Sequence, residues 1–229
     1  MKFKTLLTIL VLIAHLTLYS QECDFFYPEM EGAELIYQQF DKNGEISGST
    51  SQKVSKFKKT FDGAEATILL ITFDKKNKPV SESYLEVSCK SGIFYFDMRG
   101  YINQQMVSAY EDMEVVVHTE NLELPGKLNI GDDLKDGFLS MEISNSGVKF
   151  MTMQISITDR KVESKESVTT KAESFECYKI SSKITTKTPV KMEISTAEWF
   201  SIGTGLIKSE SYSGSGKLMS KSELIELKR

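Results

Sequence analysis

The chain has 229 residues, of which 40% are hydrophobic, 10% aromatic and 26% charged; this is enough apolar material for a packed core and excludes a disordered composition. The formal net charge of −4 arises from acidic and basic residues mixed along the sequence. With no Lys/Arg block, a nucleic acid or an anionic lipid surface is not the expected partner.

The first element is a leader. Lys2 and Lys4 precede an apolar run over residues 6–18, broken by Thr8, His15 and Thr17, and Ser20, Gln21 and Glu22 follow at once. This order predicts a signal peptide over residues 1–20, with a single domain over 21–229, exported to the periplasm or cell envelope and not integral to the membrane after cleavage. Glu22 directly before Cys23 argues against lipid attachment at that cysteine.

Beyond the leader, short runs rich in Val, Ile, Phe, Tyr and Thr alternate with turn residues. The predicted strands, in order, cover residues 34–40, 66–73, 83–89, 93–98, 113–117, 138–143, 148–158, 175–186 and 190–195. Turns are expected at Asp41-Lys42-Asn43-Gly44, at residues 75–78, at Ser91-Gly92, at Ser146-Gly147 and at residues 213–216, where a closing hairpin reverses. Met151, Met153, Ile155 and Ile157 share one strand face while Thr152, Gln154 and Ser156 take the other, the pattern of an antiparallel sheet solvated on one side. Residues 101–111 show a faint helical spacing, and the charged stretch over 159–171 reads as a solvated hairpin tip. The expected fold is mainly β, as a barrel, half-barrel or sandwich with little helix beyond the leader.

Chemistry is sparse. Of two histidines, His15 lies in the leader, which leaves His118 without a nucleophile motif to serve. Asp132, Asp133 and Asp136, and the loop starting at Asp41, do not complete a calcium-ligand spacing and read as turn formers. The Gly203-Thr204-Gly205 segment lacks a strand–turn–helix context for nucleotide binding and suggests a bulge or close approach. No enzyme activity, catalytic residue, metal or cofactor is expected. Cys23, Cys89 and Cys177 leave open three pairings or three buried thiols, with no C-x-x-C spacing. Met98, Met106, Met151, Met153 and Trp199 are the candidate apolar ligand face, methionine being the side chain that adapts best to irregular ligands. Trp199 is also expected to be buried against the closing strands.

Several ordered segments carry a family resemblance. The stretch Cys23-Asp24-Phe25-Phe26-Tyr27-Pro28, the hairpin around Cys89-Lys90-Ser91-Gly92, the Ile130-Gly131-Asp132-Asp133 segment, Phe175-Glu176-Cys177-Tyr178 and Glu198-Trp199-Phe200 with Gly203-Thr204-Gly205 together resemble the TapB-like group of exported Bacteroidetes-type domains of unknown function. The resemblance implies a curved antiparallel sheet or incomplete barrel, distantly similar to LolA-type carriers. It also implies a disulfide among the three cysteines and supplies no catalytic residues. The functional expectation is a binding or interaction module for an apolar small molecule or an envelope protein; the alternative is a structural or assembly accessory of the envelope.

Overall fold

The computed structural model describes residues 24–102, 112–188 and 190–229, apart from the side chains of Tyr101 and Thr188. The leader, Cys23 and Met106 therefore lie outside the described residues, as does most of the 101–111 segment read as faintly helical. The strands are β1 (Glu34–Asp41), β2 (Ile46–Thr60), β3 (Gly63–Asp74), β4 (Pro79–Lys90), β5 (Ile93–Phe96), β6 (Glu114–Glu120), β7 (Leu122–Pro125), β8 (Gly137–Asn145), β9 (Val148–Thr169), β10 (Ser174–Thr188), β11 (Val190–Ser201), β12 (Gly205–Ser213) and β13 (Leu218–Lys228). Among the described residues the helical element is one 3-10 turn, Met98–Tyr101.

All thirteen strands join one sheet in the order β6-β8-β9-β10-β11-β12-β13-β1-β2-β3-β4-β5-β7, nearly closed into a barrel. The closure follows from connectivity. The edge strands β6 and β7 are separated in sequence by Asn121 alone, yet β6 pairs with β8 and β7 with β5. One residue spans about 3.8 Å, so the two edges of the sheet must meet there. The 3-10 turn is pinned to this seam, because the Met98 N–H donates to Asn121 Oδ1 at 3.2 Å. Bringing the edges together removes the row of unpaired backbone groups that an open sheet would present.

The turns form where their residues demand. Asp41 Oδ1 accepts from the Asn43 and Glu45 N–H groups at 2.8 and 3.0 Å, and Asp74 Oδ1 repeats the pattern with Lys76 and Lys78. Ser91-Gly92 and Ser146-Gly147 both take positive φ, as two-residue hairpins require.

Two stretches differ from the sequence expectation. Residues 159–171 are not a solvated tip: β9 runs on to Thr169 and pairs with β10 as far as Ser174. A register shift near Asp159 (φ +52°) turns Arg160 and Val162 inward, 6% and 0% exposed, so the charges that suggested a loop occupy one face of a half-buried strand. The whole of β2 is likewise a strand that sequence patterning missed. Its inward positions include Thr50 and Gln52, and Val54 and Phe57 are the apolar residues it contributes to the core.

Two apolar clusters fill the interior. The larger gathers Phe25, Phe26 and Tyr27 of the N-terminal segment with Leu35, Ile68, Phe94, Phe200 and Leu224. The second holds Met98, Met141 and Met153 with Leu139, Ile143 and Ile157, and Met151 packs against it.

Candidate functional site

The N-terminal segment shapes one end of the barrel. Phe25 and Phe26 both pack edge-on to Phe94, with ring centroids 5.0 and 5.5 Å apart, and Phe94 continues to Phe96 and Phe26 to Phe200. The Phe25 carbonyl accepts from the Gly203 N–H at 2.7 Å. Gly205, at φ +104°, lies so close that a Cβ there would sit 2.7 Å from the Phe26 carbonyl oxygen. The close approach expected at Gly203 and Gly205 is therefore made by the N-terminal segment.

Behind this aromatic layer the barrel holds a cavity of about 280 Å³. Its apolar wall is Leu70, Leu85, Leu122, Leu206, Phe96 and Phe200, and its polar groups are Tyr27, Gln52, Arg160 and Glu198. The Tyr27 hydroxyl donates to Gln52 Oε1 at 2.9 Å, joining the N-terminal segment to β2 at the cavity wall. Tyr37 donates to the Leu206 carbonyl at 2.7 Å, next to the register shift in β12, which gives that carbonyl a partner at an irregular point of the ladder.

Glu198 and Arg160 are the charged groups of the wall. Glu198 lies between Ile180 on β10 and Ser209 on β12, its cross-strand neighbours. It is half-buried and lines the cavity. Burial pushes its carboxyl above the ordinary glutamate range, and the charge of Arg160 opposes the shift in part. Among the described residues this carboxyl accepts no hydrogen bond. Arg160 Nη1 donates to the Lys135 and Glu123 carbonyl oxygens at 2.5 and 3.1 Å, which anchor the guanidinium to the 126–136 loop and to β7. Neither residue stood out in the sequence. Glu198 carried a detectable signal, a lone acid on a strand between apolar neighbours, but which face it took was not readable from that.

The sequence-derived candidates fall elsewhere. Met98, Met151 and Met153 do meet, in the methionine-rich cluster together with Met141, and this cluster adjoins the cavity through Phe96 and Leu122. Trp199 is buried, 5% exposed, but strand alternation puts it on the face of β11 opposite Glu198 and Phe200. Its Nε1 donates to Glu166 Oε1 at 2.6 Å, and the Lys208 and Lys179 ammonium groups lie 4.5 and 5.2 Å from its ring centroid. The Trp199 bond and the Ser164 hydroxyl hold the Glu166 carboxyl below its usual range. Cys89 is disulfide-bonded, with its Sγ 4.0 Å from the Asp24 carbonyl oxygen. Cys177 is a free, buried thiol whose pKa burial pushes up to about 12.

His118 sits on the edge strand β6 opposite Ser140, exposed. Asp132 Oδ2 accepts from the Asn129 N–H at 2.8 Å, and the Asp132 carbonyl from the Val162 N–H at 3.0 Å, so this acidic segment is a turn bonded to β9. Among the described residues no group of three or more His, Cys, Asp or Glu side chains is placed to hold a metal ion. Glu198 is the one carboxylate among the described residues that line the cavity. No helix of the described residues is long and apolar enough to cross a membrane.

Two solved structures share this architecture. One is a candidate exported protein with a YmcC-like fold from Bacteroides fragilis, 24% identical, covering 90% of this chain and 100% of its own with a TM-score of 0.73. The other is a candidate lipoprotein from Parabacteroides distasonis, 23% identical, covering 91% of this chain and 100% of its own with a TM-score of 0.74. No curated protein matches the chain. Neither structure carries the TapB-like or LolA-type name, and at these identities the likeness establishes the fold alone. The family itself is set by a sequence match over residues 30–224, nearly the whole of the barrel: the chain belongs to the DUF3108-like family.

Proposed function

We propose that this protein is an exported envelope module that binds a small, largely apolar ligand inside its barrel. The observation that carries the reading is the cavity of about 280 Å³, six of whose lining side chains are Leu or Phe, with Arg160 and Glu198 among its few polar groups. Ligand sites of this kind are concave and mostly apolar, with a small number of placed polar groups, and run from about 300 Å³ upward. The size suits a single short acyl or aryl body. Behind Phe96 and Leu122, the adjoining Met98, Met141 and Met153 cluster gives that side of the cavity a backing able to re-pack around occupants of different shape. Export fits the leader at residues 1–20 and the description of the Bacteroides fragilis structure as a candidate exported protein. A disulfide fits an oxidising compartment. With three cysteines in the chain and Cys177 free, the partner we infer for Cys89 is Cys23, adjacent to the Asp24 carbonyl that lies against its sulfur. Native mass spectrometry of protein purified from the envelope tests the reading. A co-purifying small apolar mass is expected; bare protein that also fails to take up any hydrophobic probe would refute it.

A second reading, an accessory protein acting through protein contacts, draws on exposed apolar side chains near two hairpin ends, Val148 on β9 and Val190 on β11 at 71% and 75% exposure. Crosslinking in cells from these positions is expected to capture one reproducible partner if that reading holds.

A further inference from the structure

The end of the barrel opposite Phe25 and Phe26 gathers positive charge that is scattered in the sequence. Five turns lie there, joining β1 to β2, β3 to β4, β8 to β9, β10 to β11 and β12 to β13. Pairing keeps them at one end, with Asp41 level with Ser220, Gly48 with Asp74 and Ile194 with Ser213. Residues 42–45, 75–78, 146–147 and 214–217 of these turns hold five lysines, Lys42, Lys75, Lys76, Lys78 and Lys217, against one carboxylate, Glu45. All five lysines are exposed, and none is ion-paired among the described residues. Behind the tips the charges are neutralised: Lys149 pairs with Glu142, Lys191 with Glu193, and Asp41 and Asp74 accept from N–H groups of their own turns. The start of the edge strand β6 adds Asp112 and Glu114, on one side of the ring only. At the other end the connectors 61–62, 91–92, 126–136, 170–173 and 202–204 hold five carboxylates against three lysines. A chain of net charge −4 therefore presents a cationic ring at one end.

Apolar side chains stand at the same turns. Ile46, Val80, Val148, Val190, Met192 and Met219, at least one from each of the five hairpins, are all exposed. Two of the hairpins project furthest: β11 runs past the end of β12 over residues 190–193, and β9 past β10 over residues 148–153. A rim of lysines with apolar tips between them fits the boundary of an anionic bilayer, where the tips enter the acyl region and the ammonium groups meet lipid phosphates. A second copy set rim to rim would bring like charges together. A protein partner of ordinary chemistry is matched by a contiguous apolar patch, whereas these tips are separated around the ring with charge between them. We propose that the hairpin end of the barrel docks peripherally on an anionic lipid surface, an inference independent of what the lumen holds.

The test is flotation of the disulfide-intact protein, purified from the envelope, with vesicles of phosphatidylcholine alone or with one third phosphatidylglycerol. Binding to the anionic vesicles is expected to be at least about tenfold tighter than to the neutral ones, and to weaken as salt is raised from about 0.1 M to about 1 M. Changing Lys75, Lys76 and Lys78 together to Ser is expected to weaken it at least about tenfold. Val190→Ser with Met192→Ser is expected to weaken it while keeping the salt dependence. Lys127→Ser with Lys171→Ser, at the opposite end, is expected to change it less than about twofold. No preference for anionic vesicles, or equal losses from the two lysine sets, overturns the inference. Crosslinking from Val190 that captures one protein while the vesicles stay unbound overturns it in favour of a protein partner. A co-purifying ligand without vesicle binding sinks the docking end and leaves the lumen reading intact. The substituted residues are exposed, so each variant is expected to fold.

Discussion

The aromatic end of the barrel and its methionine-rich wall are both buried, yet they are built to opposite specifications. At the aromatic end, Phe25, Phe26, Phe94, Phe96 and Phe200 interlock, mostly edge to face with Phe96 tilted against Phe200, and the segment that brings the first two is tied down by the Gly203 N–H and set against the disulfide-bonded Cys89. Aromatic rings have few rotamers and preferred mutual angles, so such a cluster holds one arrangement. The wall formed by Met98, Met141 and Met153 is made of unbranched side chains with three rotatable bonds and a polarizable sulfur. The cavity lies between the two, sharing Phe96 and Phe200 with the first and Phe96 and Leu122 with the second. The contrast suggests a division of labour in which one side fixes the depth of the cavity and the other accommodates what enters it.

The strongest way to break this contrast is at its rigid end. Phe94→Ala removes the ring that both N-terminal phenylalanines pack against and is expected to cost about 3–5 kcal/mol in denaturant unfolding. Trp199→Ala is expected to cost a similar amount, about 3–5 kcal/mol, because the ring is buried. Unlike Phe94→Ala it should leave probe binding in the lumen within about twofold, since Trp199 is on the opposite face from the cavity; a larger loss would show that the two faces are coupled. Cys89→Ala, or reduction, is expected to cost about 2–5 kcal/mol by freeing the N-terminal segment in the unfolded chain, measured as a drop in Tm under reducing conditions. At the adaptable wall, Met153→Leu conserves volume and is expected to cost less than about 1.5 kcal/mol, but to narrow the range of ligand shapes bound. A Met153→Leu cost equal to that of Phe94→Ala would erase the distinction between the two regions.

The smallest effect expected is at Glu198, and its sign is fixed by linkage. The carboxyl pKa is raised in the folded state, so the native protein holds its proton at pH values where the unfolded chain has released it. Stability therefore falls as pH rises from the ordinary glutamate range toward the folded pKa. Glu198→Gln is expected to be more stable than the parent at neutral and alkaline pH, the gap closing below about pH 4. Paired urea titrations at pH 4 and pH 8 measure it; a gap that does not change with pH would mean that Glu198 is not desolvated.

The legible part of the fold was the part with local causes. Asp41, Asp74, Ser91-Gly92 and Ser146-Gly147 turn the chain through their own side chains and backbone preferences. Alternation at Met151, Met153, Ile155 and Ile157 assigns a strand face with no reference to any partner. The charged stretch around Arg160 and the polar β2 went unread for the converse reason: what is inward there is Arg160, Thr50 and Gln52, and polar residues face inward only where a cavity or a carbonyl receives them. Met151 and Met153 were legible because they share a strand face, while Met98 reaches the same cluster from the 3-10 turn and the cavity beside them was not legible.

By itself, then, the sequence determined the antiparallel β character and most turns, since each rests on neighbours a few residues apart. Tertiary structure alone decided that the sheet closes at Asn121, that the N-terminal phenylalanines cap the barrel, and that Glu198 and Arg160 look into one cavity. Those outcomes depend on the strand order, which joins β6 to β8 and β7 to β5, and on small register shifts in β9 and β12. A shift of one residue reverses the face a side chain takes, and no window of sequence records where the partner strand has slipped.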